Sequence, residues 1–184
     1  VDAIKHGWMA YSGEKDASML QRAFEFAKEA HKHQKRATGE PYIIHPVAAA
    51  EILTELEIDE ETLAAAFLHD VVEDTEVELS EIEKEFGKGV ADLVDGVTKL
   101  SKLTYLSAEE MQAENFRKMF LAMAKDIRVV LIKLADRMHN MRTMKSKSPE
   151  RQKATAKETL DIYAPLAHRL GIYKLKWELE DLCL

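Results

Sequence analysis

Two places in this sequence put charge where an apolar segment should be. His69-Asp70 interrupts Ala64-Ala65-Ala66-Phe67-Leu68-His69-Asp70-Val71-Val72, and Asp136 follows the run Val129-Val130-Leu131-Ile132 within Lys133-Leu134-Ala135-Asp136-Arg137. Burying an ionised aspartate without a partner costs several kcal/mol, so such a residue calls for a cation or a full set of hydrogen bonds. Glu73 lies four residues after His69 and Asp74 four after Asp70, a spacing that stacks side chains on one helix face. Asn140 and Thr143 follow Asp136 at four and seven residues, again on one face. His45 stands apart, at the entrance of a helix, after a glycine-bearing loop. Two histidines and two aspartates form a mixed nitrogen and oxygen set without thiolate, which suits Mn²⁺, Fe²⁺ or Mg²⁺ better than structural zinc. A divalent ion held this way could activate a water and hold a phosphoryl oxygen, with Glu73 and Asp74 free to orient the water and handle its proton.

Each piece also has a plain structural reading. A satisfied core histidine beside a surface aspartate explains His69-Asp70, an exposed helix end explains Glu73 and Asp74, and a helix leaving the core explains Asp136. A lone histidine at a helix cap is usually structural. The exposed helix end accounts for Glu73 and Asp74 but not for the charge inside the apolar stretch of 64–72. His6, His31, His33, His139 and His168 are expected not to be ligands: His31 and His33 point to different faces of one helix, and His139 falls off the Asp136/Asn140 face.

The chain that must position these groups has 184 residues, 46% hydrophobic and 32% charged, the composition of a globular domain. Its single cysteine, Cys183, excludes a disulfide framework and a cysteine zinc site and fits a reducing, cytoplasmic location. A net charge of −7 argues against general nucleic-acid binding, although a local cluster of Lys and Arg could still hold a small anion. No apolar run approaches the roughly 20 residues of a membrane span, and no signal peptide is visible. The chain opens on Val1 rather than methionine, as a fragment or processed chain would.

With 7 glycines and 4 prolines, few breakers interrupt the helical patterns. Leu20, Phe24 and Ala27 predict a helix over 17–33, and Lys35–Pro41 a loop. His45-Pro46 reads as a helix start with proline at its first position, running to about Leu56. Asp59 caps the next helix, and Leu63 to Val72, apolar nearly all round, reads as one buried helix. Ser80-Glu81-Ile82-Glu83 and Ser107-Ala108-Glu109-Glu110 are capping-box patterns, the first opening a short helix that ends near Gly87. Gly96–Tyr105 reads as a loop, 127–145 as a helix, and Ser148-Pro149 as the start of one ending near Gly171. Apart from a short extended piece at Tyr42–Ile44, no strand pattern appears.

The order His45, His69-Asp70, Asp136 resembles the signature of the HD phosphohydrolases. The flanks are more specific. Arg36, with Gly39-Glu40-Pro41-Tyr42-Ile43-Ile44-His45-Pro46, then Phe67-Leu68-His69-Asp70-Val71-Val72-Glu73-Asp74-Thr75, and Lys133-Leu134-Ala135-Asp136-Arg137-Met138-His139-Asn140-Met141-Arg142-Thr143, resemble the hydrolase domain of the RelA/SpoT homologue family. Tyr163-Ala164-Pro165-Leu166-Ala167-His168-Arg169-Leu170-Gly171-Ile172 resembles the segment before the synthetase domain in long members. The resemblance implies an all-α HD-domain phosphohydrolase helical bundle over 17–171, preceded by an extension at 1–16 and followed at 172–184 by the start of a linker helix towards a synthetase domain. It implies hydrolysis of guanosine tetra- or pentaphosphate to GDP or GTP and pyrophosphate with one Mn²⁺. His45, His69, Asp70 and Asp136 would then be the ligands, and Glu73 and Asp74 would act on the water. Arg36 would pack on the guanine, and Thr38, Asn140 and Thr143 would contact the nucleotide. Ala37 departs from the basic residue that many members carry there.

Two other readings are a different HD nucleotidase or phosphodiesterase, which the metal set alone does not exclude, and a catalytically silent regulatory HD module, against which the complete ligand set speaks.

Overall fold

The computed structural model describes residues 1–101 and 125–184. Among them there are helices, turns and one isolated antiparallel bridge, Lys35 to Pro41. No described helix is long and apolar enough to cross a membrane.

The centre of the bundle is α4 (Glu60–Leu68). Asp59 caps it by accepting from the Thr62 N–H, and every residue from Thr62 to Leu68 is buried. Such a helix cannot be amphipathic. Ala64, Ala65 and Ala66 keep it thin enough for neighbours to approach on several sides. α2 (Ser18–Ala30), α3 (Ile44–Glu55) and α7 (Lys88–Ser101) all pack against it. α8 (Ile127–Arg142), capped by Asp126, lies across α3 and α7. Before these, α1 (Asp2–Ser12) buries Ile4 and Trp8, one turn apart, against α3. Residues 1–16 thus carry a helix that shares the core. α1 stops at Gly13, whose φ of 77° is the left-handed conformation of a helix-ending glycine.

The carboxyl-terminal fifth is a second helical layer. α9 (Pro149–Glu158), capped by Ser148, runs into a π-turn at Thr159–Tyr163, then α10 (Ala164–Arg169) and α11 (Tyr173–Leu182). Leu175 and Leu179 are the buried face of α11, while Trp177 is 60% exposed and Leu182 is also exposed. Arg142 of α8 ties α11 in place through Glu178 at 2.7 Å.

Several expectations are corrected. The first long helix ends at Ala30, so His31 and His33 lie in a turn. Pro46 is the third residue of α3 rather than the first, still within the turn whose N–H groups have no helical partner. The apolar run expected as one helix breaks at His69-Asp70, and Val71–Asp74 forms a separate turn, α5. The His69 ring explains the break: its Nδ1 lies 2.6 Å from the Ala66 carbonyl and competes for it. α6 (Leu79–Phe86) starts on Glu78 without a side-chain cap, so Ser80 does not open a capping box. Gly96–Ser101 is helical, not loop. Gly96 serves helix packing there: a Cβ on it would come 2.7 Å from Val129 Cγ2. The extended pairing sits at Lys35 and Pro41 rather than at Tyr42–Ile44. α8 ends at Arg142, with a 3₁₀ turn at Met144–Ser146. The second capping box and the end of the expected loop lie outside the described residues.

Candidate metal centre and substrate shelf

Three elements meet at one buried point. α3 brings His45 in its first turn, the α4–α5 junction brings His69 and Asp70, and α8 brings Asp136. One ligand atom from each lies within 4.8 Å of all the others. His45 Nε2 is 2.5 Å from Asp136 Oδ1, and His69 Nε2 is 3.3 Å from the same oxygen and 3.1 Å from Asp70 Oδ2.

The histidines are oriented from behind. His69 presents Nδ1 to a backbone carbonyl, which only accepts, so that nitrogen carries its proton. His45 presents Nδ1 to His139 Nδ1 at 2.7 Å. Both Nε2 atoms therefore face carboxylates. Lone pairs on two imidazoles and two carboxylates can converge only with a positive charge among them. Burial favours neutral His69, yet Asp70 and Asp136 outweigh it and raise its pKa well above the usual histidine value. Burial would raise Asp70, but His69 holds it down at about 2. Burial likewise opposes Asp136, and Lys133 ahead of the histidines holds it well below the carboxylate range. A divalent cation fits this donor set: a buried nitrogen and oxygen cage, already deprotonated on the oxygens, with its histidines committed through Nδ1.

Around the cage the other expected residues fall into two groups. Glu73 and Asp74 are exposed at the rim on α5. Partial burial, then the Asp70 charge, raises the carboxyl pKa of each. Asp74 accepts from Gln34 at 3.4 Å and borders an open groove of about 700 Å³ that Ala30, Gln34, Val77 and Glu81 also line. Arg36 reaches Thr143 Oγ1 at 3.0 Å and Asn140 Oδ1 at 3.4 Å. A tight turn holds it there, with the Arg36 N–H on the Glu40 carbonyl and Gly39 at φ 87°. Thr38 is on the exposed tip of that turn, apart from this cluster.

Four further residues stand around the cage, none of them expected as a ligand. Tyr42 donates to Asp70 Oδ2 at 2.7 Å, and burial, then Asp70, raises its hydroxyl pKa. Lys133 contacts Asp136 Oδ2 at 3.2 Å and Ser101 Oγ at 3.0 Å from a nearly enclosed position. His31 is buried against Tyr42 and contacts Gln34, which in turn reaches Asp74. His139 meets His45, and burial, then the His45 and Arg36 charges, lowers its pKa to about 4. Only Lys133 and His139 carried a signal, their three-residue spacing from Asp136.

Known proteins resemble this chain. A chain from Synechocystis sp., described as a probable guanosine-3′,5′-bis(diphosphate) 3′-pyrophosphohydrolase, is 61% identical over 164 residues, 89% of this chain and 22% of its own length. The bifunctional (p)ppGpp synthase/hydrolase SpoT of Escherichia coli is 56% identical over 94% of this chain and 24% of its own. The present chain spans about a quarter of the length of these curated relatives. A solved metazoan ortholog of SpoT, described as hydrolysing ppGpp, superposes with a TM-score of 0.64 at 26% identity, covering 92% of this chain and 96% of that one. The profile described as HD domain matches residues 23–173, and the all-α chain with its His45, His69-Asp70, Asp136 cage belongs to the HD domain family.

Proposed function

We propose that this chain is a metal-dependent phosphohydrolase that removes the 3′-pyrophosphate of guanosine tetra- or pentaphosphate, giving GDP or GTP and pyrophosphate, with one Mn²⁺. The observation that carries the reading is the buried convergence of His45, His69, Asp70 and Asp136, with Glu73 and Asp74 on the turn that follows two of them and Arg36 joined to His45 through His139.

His45, His69, Asp70 and Asp136 would hold the ion, and a carboxylate and imidazole set without thiolate suits Mn²⁺ better than a thiolate-seeking metal. When bound, the ion supplies Lewis acidity towards a phosphoryl oxygen and lowers the pKa of a water. Water adds to the phosphorus attached to the ribose 3′ oxygen. The bond from that phosphorus to the 3′ oxygen breaks, and the 3′ oxygen takes up a proton as pyrophosphate departs. Glu73 and Asp74 are the residues for the proton transfers: their raised pKa values bring them closer to the working pH of a general acid or base. Tyr42 fixes Asp70 through its hydroxyl, and Lys133 fixes Asp136. Arg36 presents a planar guanidinium suited to stacking on guanine, with Asn140 and Thr143 holding it and meeting the nucleotide. Thr38, on the exposed tip, would contact the nucleotide from the solvent side.

In the full-length protein, residues 172–184 would begin the helix that leads towards a synthetase domain, and the whole would work in the cytoplasm. Incubating the purified chain with alarmone and Mn²⁺ tests the reading. Pyrophosphate release that EDTA abolishes and added Mn²⁺ restores is the expected result. Turnover of deoxynucleoside monophosphates or cyclic nucleotides in preference to alarmone would assign the site to another HD enzyme, and metal uptake without any turnover would make it a regulatory module.

A further inference from the structure

The two histidines of the cage are oriented by different means. His69 has its Nδ1 on the Ala66 carbonyl, a backbone group that never changes role. His45 has its Nδ1 on another imidazole nitrogen, His139 Nδ1, at 2.7 Å. A contact between two imidazole nitrogens is ambiguous in principle, since either ring can donate. Here a third group removes the ambiguity. Arg36 brings its own N–H to the same His139 nitrogen at 3.5 Å. A guanidinium has no acceptor and no accessible deprotonated form. A proton on His139 Nδ1 would point at a donor; a lone pair there accepts from both neighbours. Arg36 is itself held in direction by Thr143 and Asn140, which offer it oxygens.

We propose that His139 is a positioning residue for the metal centre: Arg36 holds its Nδ1 as an acceptor, and that acceptor holds His45 with Nδ1–H behind and Nε2 facing the ion. The idea rests on the reading of His45 as a ligand. The loop that would receive the base is thereby joined to the metal through two hydrogen bonds, Arg36 to His139 and His45 to His139. Arg36 then has two separable duties. Stacking on a base requires its flat guanidinium, whereas fixing His139 requires only a cationic donor.

The test combines nitrogen NMR of the histidine rings with Mn²⁺ titration followed by electron paramagnetic resonance, which counts free ion. In the wild-type chain at neutral pH the His139 proton is expected on Nε2. His139→Ala is expected to weaken Mn²⁺ binding by about tenfold to a hundredfold, the usual range for losing a ligand's outer partner. His139→Asn places an acceptor oxygen near the lost nitrogen and is expected to recover most of that loss, which a merely space-filling role would not produce. Arg36→Ala is expected to loosen Mn²⁺ by up to about tenfold and to mix the His139 tautomers. Arg36→Lys is expected to keep both readouts while raising KM for alarmone. A His139 proton on Nδ1, or Mn²⁺ affinity unchanged in both alanine variants, overturns the proposal. An Arg36→Lys chain as weak for Mn²⁺ as Arg36→Ala overturns the donor role given to Arg36. If the wild-type chain takes up no Mn²⁺, it is the metal reading that fails, and the His139 tautomer still judges the relay on its own.

Discussion

Asp136→Ala should damage the chain even with no metal present, and by an amount the structure allows to be worked out. Asp136 is 6% exposed. Its Oδ1 faces His45 at 2.5 Å and His69 at 3.3 Å, and its Oδ2 faces Lys133 at 3.2 Å. The only like charge beside it in the cage is Asp70. Burial opposes the Asp136 carboxylate, but Lys133, then the hydrogen bonds of the cage, outweigh it and hold its pKa well below the carboxylate range, so the carboxylate is net stabilising. Its removal strands the Lys133 ammonium, whose side chain is 13% exposed, with Ser101 as its remaining hydrogen-bond partner among the described residues. Breaking one side of a buried ion pair typically costs about 3–5 kcal/mol. For a chain of this size that is a fall in Tm of roughly 6–20 °C, at about 2–4 °C per kcal/mol. The assay is urea unfolding in EDTA, which keeps metal binding out of the comparison. The second arm is the double variant Asp136→Ala with Lys133→Met, which removes the stranded charge and should regain most of the lost stability while still binding no Mn²⁺. A single variant losing under about 1 kcal/mol, the value of an exposed pair, refutes the reasoning. So does a double variant no more stable than the single, because the cost would then lie elsewhere than in Lys133.

The rim carboxylates should behave differently: Glu73→Gln and Asp74→Asn should each keep Mn²⁺ in a metal-retention assay yet lower kcat for pyrophosphate release by about a hundredfold or more, and normal turnover in both would remove them from the proton transfers. Tyr11 donates to the Ile58 carbonyl, and burial, then Asp59 and Glu57, pushes its hydroxyl up to about 12. A raised pKa means the fold favours the neutral phenol, so its contribution is whole below about pH 10, the unfolded value, and is lost as pH rises through 12; Tyr11→Phe should flatten the stability profile across that window. Gly96→Ala, normally a gain of about 0.5–1 kcal/mol in a helix, should instead cost about 1–2 kcal/mol by overpacking against Val129. Adding Val129→Ala should offset that loss in the same unfolding measurement, and a stabilised Gly96→Ala chain would show that the α7–α8 contact is looser than it looks.

What could be read in advance was what a single chain segment already makes costly. Charge inside 64–72 and after 129–132 is expensive wherever those helices end up, so His69, Asp70 and Asp136 declared themselves, and the caps at Asp59 and Ser148 follow from local hydrogen bonding. The break at His69-Asp70 did not. The run from Leu63 to Val72 has no glycine or proline, and the helix ends because an imidazole claims the Ala66 carbonyl. Gly96 looked like a loop signal and is a packing device, because its meaning depends on Val129, distant in sequence. A helical face through Asp136 and Asn140 leaves His139 to one side. A residue three positions on is as near as one four positions on, and its partner His45 belongs to another helix. Tyr42 and Gln34 act from the connection between α2 and α3, where no periodicity ranks one side chain above its neighbours.

The π-turn at Thr159–Tyr163 has a consequence for how this chain can change length. A π-turn amounts to one residue inserted into an α-helix. Its presence sets the rotation of everything after it relative to α9, about 100° per residue at 3.6 residues per turn. Upstream, Glu158 pairs with Arg137; downstream, Tyr163 lies with its ring 4.2 Å from the same guanidinium. One arginine, next to Asp136 in sequence, thus grips the chain on both sides of the inserted residue. Deleting a single residue here would leave the hydrogen-bond ladder unbroken and the helix more regular. It would also swing Tyr163, Leu166, Leu175 and Leu179 away from the faces they bury. Most helices tolerate a shortened loop better than a shortened body, and here the least regular five residues are the ones whose count matters most.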